Sequence, residues 1–283
     1  MLQCVIYNVR LGQCVALFPK NQPHYSMLID CGHEDDFHPI DHIIDLLPKE
    51  NGKPVLGNLT LTNYDHDHFS GITYLVNKVK INTVNFPDNL TSDDLIYIKD
   101  DLTPALLAII DIKNRYTGTA QGHTPPYKTI IFHLTVEELK NANVPVTTNN
   151  LSQMVFIKYG GKVICLTGDL EKPSWELMLK KASVRQLLKE TNIFFASHHG
   201  RRNGYCADVF EYCKPECIII SDKEIIHGTQ ESMSQIYAKH VFGNGIEFRS
   251  NNNVNIRKVI TTRSDGHVLI NLSEDGDFEF ISL

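Results

Sequence analysis

The chain has no Cys-x-x-Cys pair, although it holds seven cysteines among its 283 residues. They stand alone at 4, 14, 31, 165, 206, 213 and 217, an odd number with neither zinc-finger nor redox spacing. That argues against a disulfide framework and for reduced, mostly core cysteine in a cytoplasmic protein. No run approaches the ~18 consecutive apolar residues that a spanning helix needs. The opening Met1-Leu2-Gln3-Cys4-Val5-Ile6-Tyr7 lacks a charged stretch followed by an apolar one. Neither a membrane span nor a signal peptide is expected. Positive charge is short as well: 27 Lys and Arg face 33 Asp and Glu, a formal charge of −6. With no global basic field, a polyanion would have to be held locally by metal and a few cations. Serine never occurs in a Gly-x-Ser-x-Gly setting, so a serine hydrolase has no support. Repeats and low-complexity tracts are absent too.

What is present is ample core material, 42% hydrophobic residues, arranged as strands alternating with helices. Strand patterns fall at Cys4 to Val9, Cys14 to Phe18, a run ending at Ile29, Gly57 to Thr62, and Ile81 to Phe86. Helical spacing covers Ile40 to Leu47 and Ile72 to Val79. Residues 88–147 break this rhythm: Ser92 to Tyr116 reads helical with a break at Pro104, then a Gly/Pro-bearing loop follows. This section is expected to be an insertion or cap on a single domain spanning 1–283, and its His123 and His133 are weak ligand candidates. Further on, Gly160-Gly161 joins two strands as a hairpin. A helix runs from Pro173 to about Lys189, and Ile193 to Ala196 and Cys217 to Ile220 are strands. Another helix spans Ser232 to Val241, and strands from Lys258 close the chain.

The centre of this organisation is Asn63-Tyr64-Asp65-His66-Asp67-His68, placed between a strand and a helix. Metal binding needs several electron pairs converging on one point. Asp65, Asp67 and His68 offer two carboxylates and an imidazole within four positions, which suits an irregular loop better than a strand that alternates faces. Asp67 could instead cap the following helix. Four apolar strands end in ligand-type residues: Asp30, then Asn63 to His68, then Asp169, then His198-His199. In layered α/β proteins such strand ends share one edge, where a site is built.

The set Asn63-x-Asp65-x-Asp67-His68, Thr167-Gly168-Asp169 and His198-His199-Gly200 resembles the metallo-β-lactamase fold superfamily. Within it the likeness is to the hydrolase domain of ComEC-type competence proteins and their standalone relatives. Leu11-Gly12-Gln13, Asp30-Cys31-Gly32, Asn150-Leu151-Ser152, His227 and Arg263-Ser264-Asp265-Gly266 extend it, leaving residues 88–147 without a counterpart. The resemblance implies an α/β protein built as an αββα four-layer sandwich with a two-metal site on one edge. It implies Asn63, Asp65, Asp67, His68, Asp169, His198 and His199 as metal ligands, with Asp30 orienting one of them by hydrogen bonds. Asn63 stands where the family usually has His, and Arg201 where it usually has Ser.

Hard oxygen donors outnumber imidazoles here and no cysteine takes a ligand position, so the two divalent ions are expected to be Mn²⁺ or Zn²⁺, with Mg²⁺ compatible. The expected chemistry is phosphodiester hydrolysis of DNA, RNA or a nucleotide by a metal-activated water. In it Asp67 and Asp169 are catalytic, His227 donates a proton to the leaving oxygen or completes the ligand shell, and Arg201 and Arg202 grip phosphate. His66 should point away from the metals, and Tyr64 and Tyr205 are expected to pack. The alternatives are hydrolysis of a small ester, lactone or thioester, and a catalytically degenerate binding subunit of a multi-protein system. A protein partner or a homo-oligomer is compatible with either.

Overall fold

A computed structural model describes residues 1–87, 90–99, 101–122, 124–223, 229–250 and 253–283. Strands β1 (Leu2–Ile6), β2 (Val15–Pro19), β3 (Met27–Ile29), β4 (Lys49–Glu50), β5 (Lys53–Thr60) and β6 (Lys80–Asn85) come first. Strands β7 (Lys128–Phe132), β8 (Met154–Tyr159), β9 (Lys162–Leu166), β10 (Ile193–Phe195) and β11 (Cys217–Ile220) follow. The last are β12 (Ile246–Ser250), β13 (Asn253–Arg257), β14 (Val259–Thr261), β15 (Val268–Leu272) and β16 (Phe278–Ser282). One sheet has the order β13-β12-β16-β15-β1-β2-β3-β5-β4, with β6 also on β5, and the other β14-β11-β10-β9-β8-β7. Both are mixed: β3, β5 and β6 run parallel, as do β9, β10, β11 and β14, while the hairpins are antiparallel.

Side-chain parity turns these sheets into layers. Leu2, Cys4 and Ile6 of β1 join Val155 and Ile157 of β8, Ile164 and Leu166 of β9 and Phe195 of β10 in one buried cluster between the sheets. The alternate residues, Val5, Phe156, Cys165, Phe194 and Ile218, belong to a second cluster that carries the helices. On one side Ile40, Ile43, Ile72 and Leu75 come from Pro39–Leu46 and Ile72–Lys78. On the other, Trp175, Val184 and Phe210 come from Lys172–Met178, Ala182–Glu190 and Val209–Tyr212. Period-2 alternation with both faces apolar is what a sheet covered on both sides requires.

Several local expectations shift. The helix expected from Pro173 to Lys189 is two, parted at Leu179 to Lys181, where Arg185 donates to the freed Leu179 carbonyl. The hairpin of β12 and β13 is an addition to the strands read from the sequence; β13 is exposed along its length, with Val254 and Ile256 alternating on one uncovered face. Pro104 does separate two helices, Ser92–Ile98 and Pro104–Arg115, with Thr103 capping the second. Beyond them β7 joins the sheet edge beside β8. All seven cysteines are buried and free. Among the described residues no helix is long and apolar enough to cross a membrane.

Candidate metal centre

The carboxyl ends of β3, β5, β9, β10 and β11 point to one edge, and five loops meet there. They bring Asp67, His68, Asp169 and His199 so close that one ligand atom from each lies within 4.8 Å of the others. His68 Nε2 is 3.1 Å from Asp169 Oδ1, and His199 Nε2 is 3.5 Å from the same oxygen and 3.3 Å from Asp67 Oδ2.

Each imidazole is held from behind. His68 Nδ1 is 2.8 Å from Asp30 Oδ2, and His199 Nδ1 is 3.0 Å from the Ser221 carbonyl oxygen. With Nδ1 of both rings engaged in this way, Nε2 is the nitrogen that faces the carboxylates. Both Nε2 atoms are buried without a hydrogen-bond partner. Buried polar nitrogens are rarely left so, and two of them aimed at two carboxylates describe a cation seat of mixed N and O donors. The residues fit a divalent ion.

Asp30 organises this arrangement. It is fully buried with φ of +58°, a left-handed backbone that turns its carboxylate across the end of β5. Its Oδ1 accepts from Thr62 N at 2.7 Å, while Oδ2 accepts from Thr62 Oγ1 at 2.6 Å and Gln13 Nε2 at 3.1 Å besides His68. Asp67 is seated by Gly12, whose φ is +109° and where a Cβ would lie 2.0 Å from the Asp67 carbonyl oxygen. Only glycine fits there. His198 and His199 both adopt left-handed backbone, φ +51° and +53°. Such strain costs about 1–3 kcal/mol per residue and marks a constrained functional turn. It also sends two adjacent histidines to different partners.

The electrostatics separate those two histidines. Burial alone would lower His199, but the charge of Asp169 and the close approach of the Asp169 and Asp67 carboxylates reverse this and raise it to about 9. Burial likewise opposes a charge on His68, and Asp169 and Asp30 hold it well above the imidazole range. Burial would raise Asp67 and Asp169, yet the histidines hold Asp67 down at about 2 and Asp169 well below the carboxylate range. Burial lowers His198 and the neighbouring Arg201 and His199 add to this, against the pull of Asp169.

Of the seven ligands expected from the sequence, these four converge and three do not. Asp65 Oδ1 accepts from Lys99 Nζ at 2.5 Å and from Thr148 Oγ1 at 2.6 Å. Asn63 Oδ1 accepts the Asp65 N–H at 2.8 Å, and its Nδ2 donates to Asn149 Oδ1 at 2.9 Å. His198 Nε2 is 3.9 Å from Asp169 Oδ2 but takes the Arg201 guanidinium at 3.0 Å. Asp67 is not a helix cap: the short helix His66–Phe69 starts after Asp65, with no side-chain cap bond. Arg202 is exposed beside Arg201. His227 and His123 lie outside the described residues, and His133 is not in the cluster. His66 is exposed, Tyr64 donates to the Pro87 carbonyl, and Tyr205 bonds His240. Lys99, Thr148 and Ser221 went unseen in the sequence. Nothing local marks Lys99, whereas Ser221 could have been found as the strand-end residue after Cys217 to Ile220.

A cavity of about 740 Å³ lies between β6 and β7 against Asn85, Arg115, Tyr116 and Tyr127, and contains none of the four clustered residues. The four clustered residues lie instead at the open strand-end edge, where Asp67 is 30% exposed.

No protein-family model and no curated protein matches the chain. Among solved structures it is similar to a Thermotoga maritima chain assigned as a Zn-dependent hydrolase of the metallo-β-lactamase superfamily. That likeness has 11% identity and a TM-score of 0.42, covering 92% of this chain and 98% of that one. It is also similar to Zn²⁺-bound PqqB from Methylobacterium extorquens, at 8% identity and TM-score 0.47, covering 96% of this chain and 100% of that one. CmlA, a diiron β-hydroxylase from Streptomyces venezuelae, matches at 12% identity and TM-score 0.46 over 84% of this chain and 50% of that one. At such distances the chemistry of the site rests on the chain's own side chains.

Proposed function

We propose that this chain is a cytoplasmic metal-dependent hydrolase whose substrate is a phosphodiester in DNA, RNA or a nucleotide. The observation that carries the reading is the pair of buried, unpartnered imidazole nitrogens, on His68 and His199, aimed at the carboxylates of Asp67 and Asp169. Those four residues would hold the ion. When bound, a Mn²⁺, Zn²⁺ or Mg²⁺ ion supplies a Lewis acid that makes water nucleophilic near neutral pH. Asp30 and the Ser221 carbonyl fix the two rings in the tautomer that leaves Nε2 free to coordinate. Asp67, the most open of the four, is the carboxylate best placed to accept a proton from an entering nucleophile. Arg201 and Arg202, both exposed and next in sequence to the two histidines, carry the guanidinium forks that would take phosphate oxygens. The sequence resemblance to ComEC-type hydrolase domains points to the same substrate class.

The test is hydrolysis of bis(p-nitrophenyl) phosphate and of single- and double-stranded DNA and RNA by protein loaded with Mn²⁺, beside Asp67→Ala and Asp169→Ala. Both variants should lose at least 100-fold in kcat/KM, on the order of 3 kcal/mol of barrier. Turnover of p-nitrophenyl esters or lactones with no phosphodiester cleavage would move the substrate to carboxylic esters. Activity that survives both substitutions would remove the site assignment.

A further inference from the structure

We propose that the centre holds one divalent ion, and that the Lys99 ammonium takes the place of a second cation beside it. This rests on the metal-centre reading above and refines its stoichiometry. The two halves of the strand-end cluster differ in what satisfies them. In the half made by Asp67, His68, Asp169 and His199, two buried ring nitrogens lack a donor or acceptor and the carboxylates face them. In the half made by Asn63, Asp65 and His198, protein groups already meet Asn63 Oδ1, Asp65 Oδ1 and His198 Nε2, while His198 Nδ1, 3.8 Å from Glu171 Oε1, has no hydrogen-bond partner. Asp65 Oδ1 takes the Lys99 ammonium at 2.5 Å and the Thr148 hydroxyl at 2.6 Å. Asn63 Oδ1 takes a backbone N–H, and His198 Nε2 takes the Arg201 guanidinium.

Charge counting agrees. Asp67 and Asp169 neutralise one divalent ion, while Asp65 and Lys99 neutralise each other. A second divalent ion at Asp65 would sit against an ammonium and a guanidinium, with a neutral amide in place of an anionic or imidazole ligand. Like charges brought together near a protein surface repel. Lys99 follows the helix Ser92–Ile98, in the section inserted between β6 and β7. The cap segment thus contributes a fixed positive charge to the edge of the site. A lysine at this point also leaves further N–H donors for an anionic group of the substrate.

Equilibrium dialysis against Mn²⁺, with metal content read by mass spectrometry and by electron paramagnetic resonance, tests this. Wild type should hold one equivalent with the signal of an isolated ion. Lys99→Ala and Lys99→Gln should each double the content and show a spin-coupled pair, whereas Lys99→Arg, which keeps the cation, should stay at one. Lys99 is about a quarter exposed, so at least one of the two neutral variants is expected to melt as wild type does. Two equivalents in wild type, or one in a folded Lys99→Ala or Lys99→Gln, would overturn the proposal and leave the metal centre standing. No ion bound by wild type would instead remove the centre itself.

Discussion

Replacing Asp30 with Asn changes no heavy-atom volume to speak of, yet it should weaken metal binding from a position that touches no metal. The buried carboxylate accepts four bonds: Thr62 N on Oδ1, and Thr62 Oγ1, Gln13 Nε2 and His68 Nδ1 on Oδ2. An amide can keep the Thr62 N–H on its oxygen, and the Thr62 hydroxyl can rotate to accept from the new NH₂ group. The Gln13 and His68 donors then face a donor. Each stranded buried donor costs about 1–3 kcal/mol, so the metal-free fold should lose about 2–6 kcal/mol. His68 can escape by moving its proton to Nε2, which removes the lone pair directed at Asp169. Lost orientation of this kind typically costs 10–100-fold in metal affinity. Competition with a fluorescent chelator for Zn²⁺ and Mn²⁺ measures the affinity, and a thermal melt of metal-free protein measures the fold. A destabilised Asp30→Asn that binds metal within twofold of wild type would refute the role given to His68.

Three further outcomes follow from the same geometry. Gly12→Ala should destabilise the protein by about 3 kcal/mol or more in denaturant melts, and weaken metal binding, because a Cβ there meets the Asp67 carbonyl oxygen at 2.0 Å in left-handed backbone. Phe195→Ala, in the layer between the sheets, should cost about 3–5 kcal/mol in the same melts while leaving metal stoichiometry unchanged. In the metal-free protein, His199 is raised to about 9, so its contribution to stability is complete below the ordinary imidazole range and fades as pH rises through about 9. Asp67, held at about 2, contributes above the ordinary carboxylate range and loses this as pH falls through about 2. Metal must displace the His199 proton, so titrations from pH 6 to 9 should show affinity rising with pH and protons released on binding. A flat profile would contradict the placement of His199.

The strand ends were legible because each combines a short apolar run with a polar ligand-type residue, and Asp30, Asp67, His68, Asp169 and His199 do meet at one edge. What the sequence concealed lies in backbone and distance. Two adjacent histidines look equivalent along the chain, but left-handed backbone at both sends His199 to the cluster and His198 to Arg201. Lys99 carries no local mark, since only the fold of the section between β6 and β7 brings it to Asp65. The helix Val136–Asn141 did carry one, the Thr135-x-x-Glu138 capping box, hidden inside a stretch that otherwise lacks periodicity. The edge hairpin of β12 and β13 does alternate, Ile246 and Phe248 on one strand and Val254 and Ile256 on the other, but each run is only five residues long.

Anomalous diffraction at the zinc and manganese edges, from crystals grown with each ion, addresses the centre most directly. A peak within coordination distance of Asp67, His68, Asp169 and His199 is the expected result. Peaks only elsewhere on the molecule, or none at saturating metal, would mean that the facing carboxylates and imidazoles form an ion-paired cluster and no metal site.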